Sequence, residues 1–173
     1  NIFLNREATT KASVFGFRSI LAYRRLIASL NKQIHQSLKL NNFIESKILT
    51  QNLRIHYKEI SELYFRYSIL KKGSPMEIKC LDKCLTFDPN HSEANYLTAQ
   101  ELKKKKNEEC LEFYKRCIDN NWEHWQARWE YITHNDNILP KEEMISHLEM
   151  ISECNPSHQR AKRLLNEINS SCV

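Results

Sequence analysis

The stretch KCLTFDPNHSEANYL at residues 83–97 is the most informative for the fold, because two similar stretches follow it along the chain. Its relatives are CIDNNWEHWQARW at 117–129 and ISECNPSHQRAKRL at 151–164. Their alanines follow one another at intervals of 33 and 34 residues, at Ala94, Ala127 and Ala161. A histidine lies three positions before each alanine. A repeat of this length indicates stacked supersecondary units that share a continuous core.

The residues before each turn repeat in the same register. Two columns align: Leu81, Tyr114 and Leu148 in one, and Cys84, Cys117 and Ile151 in the other. Each column supplies an apolar or small residue where a second helix must pack on its partner. Pro75 and Pro140 lie at a first helical turn, where a missing N–H costs nothing. We therefore predict second helices near 75–87, 107–119 and 141–153.

This pattern resembles the tetratricopeptide repeat (TPR), over roughly residues 60–168. The turn Asp88-Pro89-Asn90 and the later Asn155-Pro156 resemble the junction between TPR units, whereas the middle copy has Trp122 in place of the proline. The resemblance implies a TPR-like α-solenoid over 74–173. A solitary capping helix over 158–168 would close it, with a polar outer face.

Two longer helices are predicted before the repeats. Apolar residues recur at alternating spacings of four and three within 15–39 and again within 49–70, and Leu40-Asn41-Asn42 separates the two runs. We predict a long antiparallel helical hairpin over 14–73, preceded by an extended arm over 1–13, with the whole chain forming one continuous folding unit. An intermolecular coiled coil is the alternative use of this seam.

Composition agrees with an all-α fold. The chain has 173 residues with two glycines and four prolines, too few for the turns of a sheet-rich fold. None of the six cysteines forms a Cys-x-x-Cys pair, so we interpret them as reduced thiols of an intracellular protein, cytoplasmic or nuclear. No apolar stretch approaches the roughly 20 residues of a bilayer span, so we expect no membrane insertion. Because the chain begins with Asn1, we expect a processed chain or part of a longer one.

No residue pattern points to catalysis, a metal or a cofactor. The isolated Gly16 and Gly73 cannot form a phosphate loop. Cys80 and Cys84 would leave two zinc ligands without a candidate, so we interpret them as packing residues. The three repeated histidines would lie about 10 Å apart in successive units, too far apart to share an ion directly. We interpret them as residues at helix starts.

The TPR resemblance implies protein binding. In TPR proteins the first helices of successive units line a groove that holds an extended peptide or a helix. Carried over by register, the residues of that groove are Tyr96, Gln100, Lys103, Trp129, Thr133, Arg160 and Arg163. Aromatic anchors with basic neighbours suit a partner that carries an apolar side chain beside carboxylates. We predict a scaffold or adaptor that is a subunit or domain of a larger complex.

Two alternatives stay open. The degenerate copies also resemble the half-a-TPR repeats of RNA-processing scaffolds, and the run Lys103-Lys104-Lys105-Lys106, together with the net charge of +5, permits RNA as a partner. Trp125-Gln126-Ala127-Arg128 fits the Trp-x-x-Arg motif of prenyltransferase α-subunits, which would imply a non-catalytic subunit.

Overall fold

The computed structural model describes residues 2–135 and 138–170, and their side chains from residue 10 onward. Over these residues the chain is all-α, as predicted, and contains no strand. The helices are α1 Ile2–Lys39, α2 Phe43–Leu70, α3 Pro75–Phe87, α4 Ser92–Lys104, α5 Cys110–Asn120, α6 Trp125–His134, α7 Lys141–Cys154 and α8 Gln159–Ser170. They belong to two compact units, Asn1–Pro89 (unit 1) and Asn90–Val173 (unit 2).

In unit 1, α1 and α2 form the predicted antiparallel hairpin. Near the open end Gly16 leaves room for the Tyr67 ring, and towards the middle the Tyr23 and His56 rings lie 5.9 Å apart. Asn41 takes a φ of 55°, which suits an asparagine that ends a helix. Asn42 then caps α2, because its side chain accepts a hydrogen bond from the Glu45 amide.

The extended arm predicted for residues 1–13 is wrong over residues 2–13, which are helical and begin α1. Residue 1 lies outside the described part of the chain. The prediction relied on missing apolar periodicity, but extending an existing helix costs far less than nucleating one. The segment also contains no proline or glycine that would stop the helix.

The boundary between the units lies at a different point of the chain from the predicted start of the solenoid. The boundary falls after Pro89 and not at residue 73, so α3 belongs to unit 1. The cause lies in its packing, because the Phe87 ring stacks on Tyr64 of α2 with 5.9 Å between centroids. The Ser61 hydroxyl of α2 also donates to the Cys84 carbonyl at 3.1 Å.

Unit 2 consists of α4 to α8, and each helix packs on its neighbours in the chain. Both columns of the repeat are buried, with Tyr114, Cys117, Leu148 and Ile151 at 0 % exposure. In unit 1 the first copy, Leu81 and Cys84, is buried too. The predicted second helices are confirmed as α3, α5 and α7, although α5 begins at Cys110 and not near 107.

The repeated histidines cap the first helices, which confirms that they lie at helix starts. The Nδ1 atoms of His91, His124 and His158 accept hydrogen bonds from the amides of Ala94, Ala127 and Ala161 at 3.3, 3.2 and 3.1 Å. Each bond satisfies one of the amides that a helix start leaves without an intrahelical partner. The capped alanines are fully buried, so a larger side chain has no room there.

The middle turn keeps its geometry without the proline. The His124 amide donates to the Asn121 carbonyl at 3.1 Å, just as the His158 amide donates to Asn155 at 3.0 Å in the copy that has Pro156. The Arg128 side chain adds a bond from Nε to the Trp122 carbonyl at 2.9 Å. This arginine, the last residue of the Trp-x-x-Arg motif, therefore stabilises the turn.

Candidate functional site

The first helices of the repeats, α4, α6 and α8, lie side by side in unit 2 and form a surface that we call the first-helix face. Lys103 of α4 forms an ion pair with Glu130 of α6. The Tyr96 ring of α4 lies 4.5 Å from the ring of His124, the residue that caps α6. The Trp129 ring of α6 lies 4.6 Å from His158, which precedes α8. Side-chain contacts therefore connect all three helices.

Three predicted site residues, Tyr96, Gln100 and Lys103, follow one another on α4. The Gln100 amide donates a hydrogen bond to the Tyr96 hydroxyl at 2.6 Å. Burial raises the pKa of Tyr96, and the nearby Glu130 carboxylate raises it further. Tyr96 is half-buried and therefore stays protonated at neutral pH.

The other four predicted residues lie on α6 and α8. Trp129 is half-buried, and the exposed Thr133 donates its hydroxyl to the Trp129 carbonyl at 2.8 Å. Thr133 therefore uses its hydroxyl proton in a hydrogen bond within its own helix. Arg160 and Arg163 are exposed on α8 and form no ion pair within the described part of the chain. Cationic groups that a partner can reach are therefore found at the α8 end of the face.

A pocket of about 390 Å³ opens at the α4–α6 end of unit 2. It is lined by Gln100, Lys103, Lys104, Tyr114 and Glu130. Tyr114 reaches it from α5, and its hydroxyl is buried without a hydrogen-bond partner in the described structure. Burial raises the pKa of Tyr114, so the hydroxyl keeps its proton and can donate it. An unpaired buried donor is costly unless another group satisfies it.

Sequence reasoning missed Tyr114 and Glu130 as site residues. Tyr114 belongs to a core column and its ring is fully buried, so register alone marks it as a packing residue. Glu130 occupies no column, and its partner Lys103 is 27 residues away. Of the seven predicted residues, the structure brings Gln100 and Lys103 into the pocket and leaves the other five outside its lining.

The lysine run is partly neutralised. Lys103 pairs with Glu130, and Lys104 pairs with Glu101 on the same helix. Lys105 and Lys106 are exposed in the turn after α4, where Lys106 takes a φ of 56°. Two of the four charges are thus compensated inside the protein, which weakens the run as a phosphate-binding patch.

Burial disfavours the thiolate form of the core cysteines. It raises the pKa of Cys84 to about 12 and that of Cys117 to about 11, although hydrogen bonds with Ser61 and Ser92 act in the opposite direction. Because the thiolate is the nucleophile and the metal ligand, a pKa this high disfavours both roles. Within the described residues no group of three or more His, Cys, Asp or Glu side chains could hold a metal ion.

Comparisons with known proteins find matches only among solved structures. No protein-family model matches it, and no curated protein matches it. Among solved structures, it is similar to the MamA RS-1 ArsTM double mutant, with 17% identity over 84% of this chain and 84% of that chain and a TM-score of 0.48.

No helix in the described parts of the chain combines the length and the apolarity that crossing a bilayer requires.

Proposed function

We propose that this chain is a protein-interaction scaffold or adaptor, and that the first-helix face of unit 2 binds a peptide or a helix of a partner protein. The observation that carries this proposal is the pocket between α4, α5 and α6. It combines a buried donor without a partner, Tyr114, with a charged pair, Lys103 and Glu130, at an accessible surface. Polar groups that converge on one pocket are typical of binding sites.

A partner segment would use the face in three places. A carbonyl or another acceptor would enter the pocket and accept a hydrogen bond from the Tyr114 hydroxyl. An apolar side chain would pack on the half-buried rings of Tyr96 and Trp129. A carboxylate would pair with Arg160 or Arg163, which are exposed on α8. This arrangement requires no catalytic group, so we assign the chain a binding role in an intracellular complex.

Selection of peptides from a random display library tests this function, with the full chain as bait. We expect selected peptides to compete with one another and to lose at least about tenfold in affinity on Trp129→Ala, Arg163→Glu, because that variant removes an aromatic anchor and reverses a charge. Circular dichroism checks that the variant folds. Failure to select any peptide, or peptides indifferent to this variant, would contradict the proposed face.

A conservative substitution isolates the pocket. Tyr114→Phe removes the hydroxyl and keeps the ring, so we expect it to weaken the selected peptides about fivefold to tenfold while leaving the fold intact. Tyr131→Phe is the matched control, since Tyr131 is also buried in unit 2 but packs on His147, away from the pocket. Equal effects of the two substitutions would show that the Tyr114 hydroxyl has no binding role.

A binding assay with single-stranded RNA tests the alternative partner. The RNA-binding alternative would replace the peptide assignment if the full chain bound single-stranded RNA, if the affinity fell steeply with salt, and if Lys105→Glu, Lys106→Glu abolished the binding. Those two lysines are the exposed members of the run that have no ion pair in the described structure.

A further inference from the structure

The charges of the chain are divided unequally between its units. Residues 1–89 carry 15 Lys and Arg against 7 Asp and Glu, a net charge of +8. Residues 90–173 carry 11 against 14, a net charge of −3. The net charge of +5 therefore comes entirely from unit 1, whereas the first-helix face belongs to the acidic unit 2.

Within unit 1 the positive charge is concentrated on α1. No acidic residue occurs between Glu7 and Glu45. Five basic residues of this segment recur at every seventh position: Lys11, Arg18, Arg25, Lys32 and Lys39. We call them the basic row. Seven residues are almost two turns of an α-helix, so the row runs along one side of α1 with about 10.5 Å between members and about 42 Å from end to end.

The basic row faces away from the hairpin core. Ile20, Ile27 and Leu30 form the buried side of α1, roughly half a turn around the helix from the row. All five members of the row are exposed. Lys11 takes part in an interaction within the chain, whereas the other four form no ion pair or hydrogen bond through their side chains in the described structure.

An apolar stripe runs beside the first half of the row. Val14, Phe17 and Leu21 are 47 %, 51 % and 37 % exposed, and their spacing of three and four places them on one side of α1. Arg18 and Arg25 each follow a member of the stripe by four residues, so the cations flank the apolar side chains. Apolar stripes flanked by charges at seven-residue spacing are the pattern of helix–helix interfaces.

We infer that this side of α1 is a second docking surface, and that its occupant is an acidic amphipathic helix of a partner protein with carboxylates at seven-residue spacing. A helix is the occupant that the geometry favours, because its own seven-residue rise repeats the 10.5 Å interval of the row. Its apolar side chains would cover Val14, Phe17 and Leu21. This surface lies on unit 1 and does not depend on the peptide-binding function proposed for unit 2.

A pair of synthetic peptides tests the match of charge and register. The first is a helical peptide of about 30 residues with glutamates at every seventh position beside a leucine stripe, long enough to cover about 42 Å. The second has the same composition, with the glutamates moved to irregular positions. We expect the full chain to bind the first at least about tenfold more tightly in fluorescence anisotropy, and expect this preference to shrink as salt rises from about 50 to about 300 mM.

Charge reversal completes the test. The variant R18E/R25E/K32E should lose about tenfold in affinity for the glutamate peptide and gain affinity for a peptide with lysines in the same positions. The control variant K72E/K79E/K83E changes the net charge equally at exposed lysines outside α1. Binding of the lysine peptide by the charge-reversed variant shows that this variant is folded. Equal binding of the two glutamate peptides, or equal losses in both variants, would overturn the inference.

Other polyanions provide the remaining outcomes. The full chain could bind poly(U) or phosphatidylserine-containing vesicles more tightly than the regular glutamate peptide and lose that binding in R18E/R25E/K32E. Such a result would assign the basic row to nucleic acid or to a lipid surface and would overturn the helix assignment.

Discussion

Units 1 and 2 are both built from consecutive helices, yet unit 1 exposes many more large apolar side chains than unit 2 does. Among the described residues, 15 large hydrophobic side chains in unit 1 are exposed, including Leu40 at 79 % and Ile44 at 78 %. In unit 2 only Trp122 and Ile138 are comparably exposed within the described range. Repeated columns of small and apolar residues let unit 2 fill its own core. The hairpin leaves apolar surface that a partner can cover.

The largest expected difference is in the free energy of unfolding, when an aliphatic side chain is truncated in each unit. Leu148→Ala should lower the free energy of unfolding by about 2–5 kcal/mol, because Leu148 is fully buried and its truncation leaves a cavity. Ile44→Ala should change it by less than about 0.5 kcal/mol, because Ile44 is exposed. Denaturant titration of both variants measures the difference. A large loss for Ile44→Ala would mean that unit 1 relies on its exposed apolar residues for stability.

A histidine cap gives the next largest effect. His124→Ala should cost about 1–2 kcal/mol, because the Ala127 amide loses its acceptor and the Tyr96 ring loses its neighbour. His124→Asn should recover part of this loss, since an asparagine side chain can accept the same bond. His35→Ala on α1 is the control, because His35 is exposed near the C-terminal end of its helix, far from the helix start. No difference between alanine and asparagine at position 124 would show that capping is unimportant there.

The smallest expected effect is a dependence of the stability of unit 2 on pH. Burial lowers the pKa of His147 from 6.5, and the Arg128 guanidinium, which donates to His147 Nδ1 at 2.8 Å, lowers it further. Glu143 and Asp119 raise it, but less strongly. The unfolded chain therefore binds a proton that the folded chain excludes. The contribution of His147 to stability is complete above about pH 6.5 and declines as the pH falls below that value.

Thermal melts between pH 7.5 and about pH 5 measure this dependence, since they bracket the ordinary histidine pKa. His147→Gln should flatten the acid side of the curve, because glutamine can still accept from Arg128 and does not titrate. A curve of unchanged slope would assign the acid sensitivity to other groups.

Local chemistry made much of the fold predictable. The starts of α4, α6 and α8, the buried columns and the second helices all follow from a repeated pattern in which each copy reinforces the same helix signals. The arm at residues 2–13 was mispredicted, because helix continuation needs no apolar pattern of its own. The assignment of α3 to unit 1 was not visible either, because its sequence fits the repeat while its ring contacts lie on α2.

The candidate site was predictable only in part. Register assigned Tyr96, Gln100 and Lys103 to one helix side, but the pocket also depends on Tyr114 and Glu130, which come from two other helices. Whether the Tyr114 hydroxyl finds a partner depends on side chains distant in sequence, and no local pattern encodes that.

Local sequence encodes the helical repeat, its caps and the basic row, because these depend on spacings within a helix and on backbone amides a few residues away. Packing between helices determines which lysines are neutralised, which hydroxyl is left without a partner and where one unit ends. Those outcomes depend on distances between side chains of different helices, and such distances are set when the helices pack.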